Sequence, residues 1–116
     1  MIVHDDPDFV RIVTQFADEA GYEVSVVSGG RQFQLGYQNV RPDLIMYEFY
    51  TDHFDGIELT NWLIEQRSTA KVILAVSRML ELTKAAETLA AAAGLFQVSV
   101  LRYPASRDEI KVALAL

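Results

Sequence analysis

Pro42-Asp43-Leu44-Ile45-Met46-Tyr47-Glu48-Phe49 runs almost without a polar break. Pro42 fixes an extended entry, so the run begins as a strand and not as the tail of a helix. A strand wetted on one side alternates apolar and polar residues. This one is apolar at consecutive positions, as expected when both faces are covered. An acid, Glu48, stands at its end. A loop over residues 50–55 then leads through Gly56 into a helix over 57–65.

The same alternation of strand and helix extends in both directions. Residues 1–4 read as a strand, after which Asp6-Pro7 supplies an N-cap and a proline at the first helical position. Phe9, Val10, Ile12, Val13, Phe16, Ala17 and Ala20 then recur at helical spacing, and Gly21 ends that helix. Residues 22–27 form a second strand. Ser28 can cap a weaker helix to about residue 38, interrupted by Gly29, Gly30 and Gly36. Downstream, residues 72–76 form the fourth strand. A helix striped with Leu82, Ala85, Ala86, Leu89, Ala90 and Ala93 follows and stops at Gly94. Residues 96–101 form the fifth strand, and Ser106-Arg107-Asp108-Glu109 is a capping box opening the last helix.

Five strands alternating with five helices make an α/β chain. Parallel strands need crossover helices, so the expectation is a doubly wound, five-stranded parallel sheet with helices on both faces. Ligands of such sheets lie at the carboxyl ends of the strands. There the sequence places Asp5 and Asp6 after the first strand, Glu48 after the third, Ser77 after the fourth, and Tyr103-Pro104 after the fifth. Taken singly, Asp5 and Asp6 can be helix caps and Glu48 a strand end.

Composition narrows the functional classes. The 116 residues suit one domain, 51% hydrophobic and 22% charged, a globular balance. A net charge of −6 argues against a nucleic-acid surface, and the lack of cysteine removes disulfides and thiolate metal sites. No apolar run approaches the roughly 20 residues that span a bilayer. No signal peptide is visible, so a cytoplasmic setting is expected. The first strand starts with almost no lead-in and the chain stops inside a helical pattern. One domain over residues 1–116, cut from a longer protein, is the expectation.

Together these fragments resemble the receiver domains of bacterial response regulators. The stretches that carry the likeness are Val3-His4-Asp5-Asp6-Pro7, Pro42 to Glu48, Asp55-Gly56-Ile57-Glu58-Leu59, Val72 to Ser77, and Arg102-Tyr103-Pro104. The resemblance implies the flavodoxin-like (βα)5 fold with strand order 2-1-3-4-5, and a role in two-component phosphorelay signalling. It implies that Asp5 and Asp6 match the acidic pair that helps hold magnesium, and that Glu48 stands where an aspartate accepts phosphate. It also implies that Tyr50 offers a backbone carbonyl to the metal, that Ser77 is the switch hydroxyl, and that Tyr103 replaces a lysine. Val100 stands where many members carry an aromatic residue, and Asp52 where the loop often has proline.

These departures fall on the chemistry. Phosphoryl transfer depends on in-line positioning and on cations facing the equatorial oxygens. Glutamate carries its carboxylate about 1.5 Å further out, and a misplacement of about 1 Å can cost on the order of a hundredfold in rate. A neutral phenol cannot supply the charge of the missing lysine. The expectation is a degenerate receiver, not an enzyme, that acts by binding protein partners: a histidine kinase, an output domain or an effector. Alternatives are a phosphorylatable, magnesium-dependent receiver, with Asp52 and His53 nearby, and a magnesium-dependent phosphohydrolase. A flavin-binding domain is disfavoured because Asp-Asp-Pro makes no phosphate cradle. Crowded carboxylates at Asp5, Asp6 and Glu48 need either a magnesium ion held by Asp6, Glu48 and Tyr50, or protonation, or pairing with Arg78 or Arg102. Glu48 either mimics a phosphorylated state or marks a plain loss of function. The fourth helix, fifth strand and fifth helix, with Leu80, Leu82 and residues 90–93, form the expected contact face for a partner or a second copy, although an apolar stripe is also what a core requires.

Overall fold

The computed structural model describes residues 1–50, 55–78, 82–94 and 97–115. Along the chain run β1 (Ile2–Val3), α1 (Pro7–Glu19), β2 (Val26–Val27), α2 (Gly30–Val40), β3 (Leu44–Glu48), α3 (Gly56–Glu65), β4 (Lys71–Ser77), α4 (Thr83–Ala92), β5 (Gln97–Tyr103) and α5 (Arg107–Ala115). The strands form one sheet in the order β2-β1-β3-β4-β5, each neighbouring pair parallel. This is the doubly wound receiver topology.

All five residues of β3 are buried. Val3, Ile45, Tyr47, Val72 and Leu74 pack against Phe33, Leu59, Leu63 and Ala86 from α2, α3 and α4. Ile2, Leu44, Met46, Ile73 and Leu101 pack on the other face against Phe9, Val13 and Phe16 of α1 and Ile110 and Leu114 of α5. Two covered faces explain why the stretch from Leu44 to Tyr47 carries no charged residue.

Helix ends follow local chemistry. The Asp6 side chain accepts from the N–H groups of Asp8 and Phe9, with Pro7 opening α1. Ser106 and Glu109 satisfy each other reciprocally at the start of α5. The second helix departs from expectation. It begins at Gly30 after Gly29, whose φ of 98° needs a glycine, and no side chain caps it. Ser28 instead holds the Gln32 amide oxygen through its N–H and hydroxyl. β2 is also shorter than the 22–27 read from sequence. It is an edge strand pairing only with β1, and Tyr22 leaves the ladder to donate its hydroxyl to Leu114 O at 2.9 Å. β5 continues to Tyr103, two residues beyond the expected end, while the expected start at Phe96 lies outside the described residues.

α2 and α3 end on arginines in the left-handed region, Arg41 at φ 51° and Arg67 at φ 53°. For a residue with a Cβ that conformation costs about 1–2 kcal/mol. At the start of α3, Gly56 donates its N–H to Phe49 O at 3.0 Å. A Cβ on Gly56 would lie 2.4 Å from that oxygen and 2.8 Å from Glu48 O. The missing side chain thus lets α3 dock on the end of β3, fixing where Glu48 stops.

Replacing Gly56 with Ala should lower stability by about 1–3 kcal/mol, read from urea midpoints, because backbone and not a mobile side chain must yield. A second expectation concerns pH. Burial pushes the Tyr47 hydroxyl up to about 12, although its hydrogen bond with Thr60 acts in the opposite sense. The folded state therefore favours neutral Tyr47. Its contribution is intact below the unfolded value of about 10 and is lost as pH rises through 12, at most about 2–3 kcal/mol. Urea midpoints should fall above pH 10, and less steeply in Tyr47→Phe.

Candidate functional site

Register alone carries β1 to the end of β3. Ile2 pairs with Met46 and Val3 with Tyr47, so the next residues along, His4 and Glu48, lie side by side. Parity then selects the face. Ile2 and Met46 point to the α1–α5 side, and His4 and Glu48, two residues on, point the same way. His4 Nε2 lies 2.6 Å from Glu48 Oε2, with both side chains almost fully buried.

The other ring nitrogen fixes the tautomer. His4 Nδ1 accepts the Asp6 backbone N–H at 3.0 Å. A nitrogen that accepts carries no hydrogen, so the proton of His4 sits on Nε2, facing the carboxylate. Neither His4 Nε2 nor Glu48 Oε2 has an angle-satisfying hydrogen bond. The 2.6 Å separation is a close polar contact and not a satisfied hydrogen bond. Sequence reasoning passed over His4. The two-residue period from Ile2 to His4, set beside Met46 and Glu48, is the signal that could have found it.

From β5, Tyr103 completes the enclosure. Its ring lies 5.0 Å from His4, edge-on, and 4.8 Å from Phe9, which in turn is 4.7 Å from His4. The Tyr103 hydroxyl hydrogen-bonds to Glu48. Burial raises its pKa far above the usual phenol value, and the Glu48 bond and the charges of Glu48, Asp5 and Asp6 raise it further. The phenol therefore stays neutral and can donate. Glu48, 2% exposed, stands against the imidazole of His4 and the phenol of Tyr103.

The other expected residues divide. Asp6 is brought to the same sheet end, but its Oδ1 caps α1. Asp5 is exposed there. Ser77 ends β4 directly opposite Tyr103 in the ladder. Tyr50, 49% exposed, forms an isolated antiparallel bridge with Asp55 across residues 51–54. Asp52 and His53 lie outside the described residues. Neither arginine turns inward as one expectation had it. Arg78 donates to Pro104 O at 2.9 Å and reaches Glu109 at 3.3 Å, while Arg102 is exposed. The Ser106 backbone N–H, then its hydroxyl, holds the Glu109 carboxyl below its ordinary value, and Arg78 and Arg102 add to this.

Among the described residues the acids at this sheet end are not arranged as a magnesium site, and no group of three His, Cys, Asp or Glu side chains is arranged to hold a metal. Asp6 is committed to its cap and Glu48 to His4 and Tyr103. The apolar stripe of α4 is core: Ala86 and Ala93 are buried, and Leu82, Leu89 and Ala90 pack on the same cluster. Leu80 lies outside the described residues.

Residues 1–113 match the sequence profile of the response regulator receiver domain. No curated protein sequence matches the chain. Among solved structures, NtrX from Brucella abortus superposes with TM-score 0.85 at 15% identity, over 98% of this chain and 25% of that one, so the present chain spans about a quarter of it. The signal receiver domain of a LuxO repressor protein from Vibrio parahaemolyticus gives 0.82 at 20%, over 98% of this chain and 84% of that one. Chemotaxis response regulator CheY4 of Vibrio cholerae gives 0.78 at 19%, over 98% and 93%. At these identities the structural likeness carries the fold.

Shortening the acid tests the site. Glu48→Asp draws the carboxylate back by about one C–C bond, away from the His4 Nε2 contact, and leaves the Tyr103 hydroxyl without its acceptor. A loss of about 1–3 kcal/mol in urea unfolding is expected. An unchanged midpoint would mean that the contact contributes nothing.

Proposed function

The chain belongs to the response-regulator receiver family, and we propose that it is a receiver closed to phosphoryl transfer that signals in a two-component pathway by binding protein partners. The observation that carries this reading is the enclosure of Glu48: 2% exposed, 2.6 Å from His4 Nε2, and bonded to Tyr103. An acceptor carboxylate must meet a donor phosphorus in line, with cations on the equatorial oxygens. Here it meets a neutral ring and a phenol instead. Glutamate's extra methylene is what lets it reach them.

On this reading the chain catalyses nothing. Its partners are a histidine kinase, an output domain or an effector, met on the face of α4, β5 and α5, where Val112 is 57% exposed beside the Arg78–Glu109 pair. A second copy docking on this face would make the homodimer. Among the described residues no helix is long and apolar enough to cross a membrane, and a cytoplasmic setting belongs to the proposal. The Tyr103 hydrogen bond and the close His4 contact around Glu48 favour one standing conformation over a switch, because no charge arrives or leaves there.

The direct experiment is incubation with acetyl phosphate and magnesium, followed by intact mass and peptide mapping. No phosphoryl adduct is expected on the wild-type chain. A stable adduct at Glu48 would overturn the reading.

A further inference from the structure

At the end of the sheet opposite Glu48, the loops entering β3 and β4 enclose a polar cleft of about 240 Å³. Arg41, Asp43, Tyr37, Arg67, Ser68 and Thr69 are among its walls. Among the described residues, only Arg41 and Arg67 combine a side chain with a left-handed backbone, and both line this cleft. Left-handed positions outside glycine favour Asn, Asp or His, not arginine. Arg41 is doubly constrained, since it precedes Pro42, which favours extended backbone at that position.

Helix capping does not account for these side chains. The last carbonyls of α2 and α3 are already met by backbone: Arg41 N–H on Tyr37 O, Arg67 N–H on Ile64 O, and Ser68 N–H on Leu63 O. A glycine would serve both turns with less strain. Neither guanidinium has a hydrogen bond or ion pair among the described residues. In a chain of net charge −6, two arginines whose side chains have no partner among the described residues line one cleft. The helix C-termini draw some of that positive charge, and Asp43 opposes it, so the cleft is suited to weak binding of a small anion and not to a polyanion.

We propose that this cleft binds the phosphoryl group of a small phosphorylated molecule or free phosphate. Two planar guanidinium forks meet its oxygens in pairs, and the Ser68–Thr69 turn stands beside them. Asp43 and Tyr37, which also line the cleft, are the residues that would meet hydroxyls on the remainder of the ligand. The site shares no residue with the Glu48 centre, so it stands whether or not that centre accepts phosphate.

Inorganic phosphate, titrated against chloride at constant ionic strength, is the first probe, with backbone amide shifts as readout. Saturable shifts are expected at residues 40–43 and 66–70. Arg41→Gly/Arg67→Gly should weaken binding at least tenfold while the melting temperature holds or rises, because glycine accepts both conformations. Arg67→Gly alone leaves the Pro42 junction untouched and should lose part of the affinity. Glucose 6-phosphate against free glucose then distinguishes an organic phosphate from the bare ion. The proposal is overturned if phosphate gives no saturable shift beyond chloride, if the shifts survive the double substitution, or if they appear only around Asp5, Glu48 and Ser77.

Discussion

Glu48 is an acid at the end of the central strand, with 2% of its surface open to solvent. A carboxylate in that position must find donors inside the protein or lose its charge. It finds the hydroxyl of Tyr103 as a donor and stands 2.6 Å from the Nε2 of His4, and the rest of the sheet end is arranged around them. His4 keeps its proton on Nε2 because the Asp6 N–H occupies Nδ1. Asp6 is held in place because its side chain caps α1. Tyr103 stays neutral because it is buried beside negative charge. Each group fixes the state of the next.

Three side chains at this sheet end therefore behave as one unit. The Glu48 carboxylate reaches the imidazole of His4. The phenol at the end of β5 donates to the same carboxylate. The imidazole supplies an N–H from β1 without adding a formal charge. Removing one member leaves the others buried and unsatisfied, so effects in this cluster should not add. The same enclosure bears on magnesium, since Glu48 is turned to His4 and Tyr103.

Much of the fold was legible because it rests on periods and caps. The apolar run from Leu44 to Glu48 could only be covered on both faces, and Asp6-Pro7 and Ser106 to Glu109 announced their helices. The order of the strands came with the family resemblance. What escaped was set by tertiary context. The length of β2 depended on an edge strand with one short neighbour, and the entry to α2 depended on the left-handed backbone of Gly29. In the site, Glu48 and Tyr103 stood out as departures, whereas His4 read only as the last residue of a strand. Its role depends on the register between β1 and β3, so the two-residue period of each strand points to it only once the two are set side by side. The fate of Arg78 was likewise decided by α5, through Pro104 O and Glu109.

The tautomer of His4 tests this arrangement most directly, because it depends on both of its neighbours at once. Ring nitrogen-15 shifts of the folded protein near neutral pH, recorded with and without magnesium, would report it. The account predicts a hydrogen on Nε2 and a bare, accepting Nδ1, unmoved by millimolar magnesium. A hydrogen on Nδ1, or a ring that shifts as magnesium binds, would contradict it.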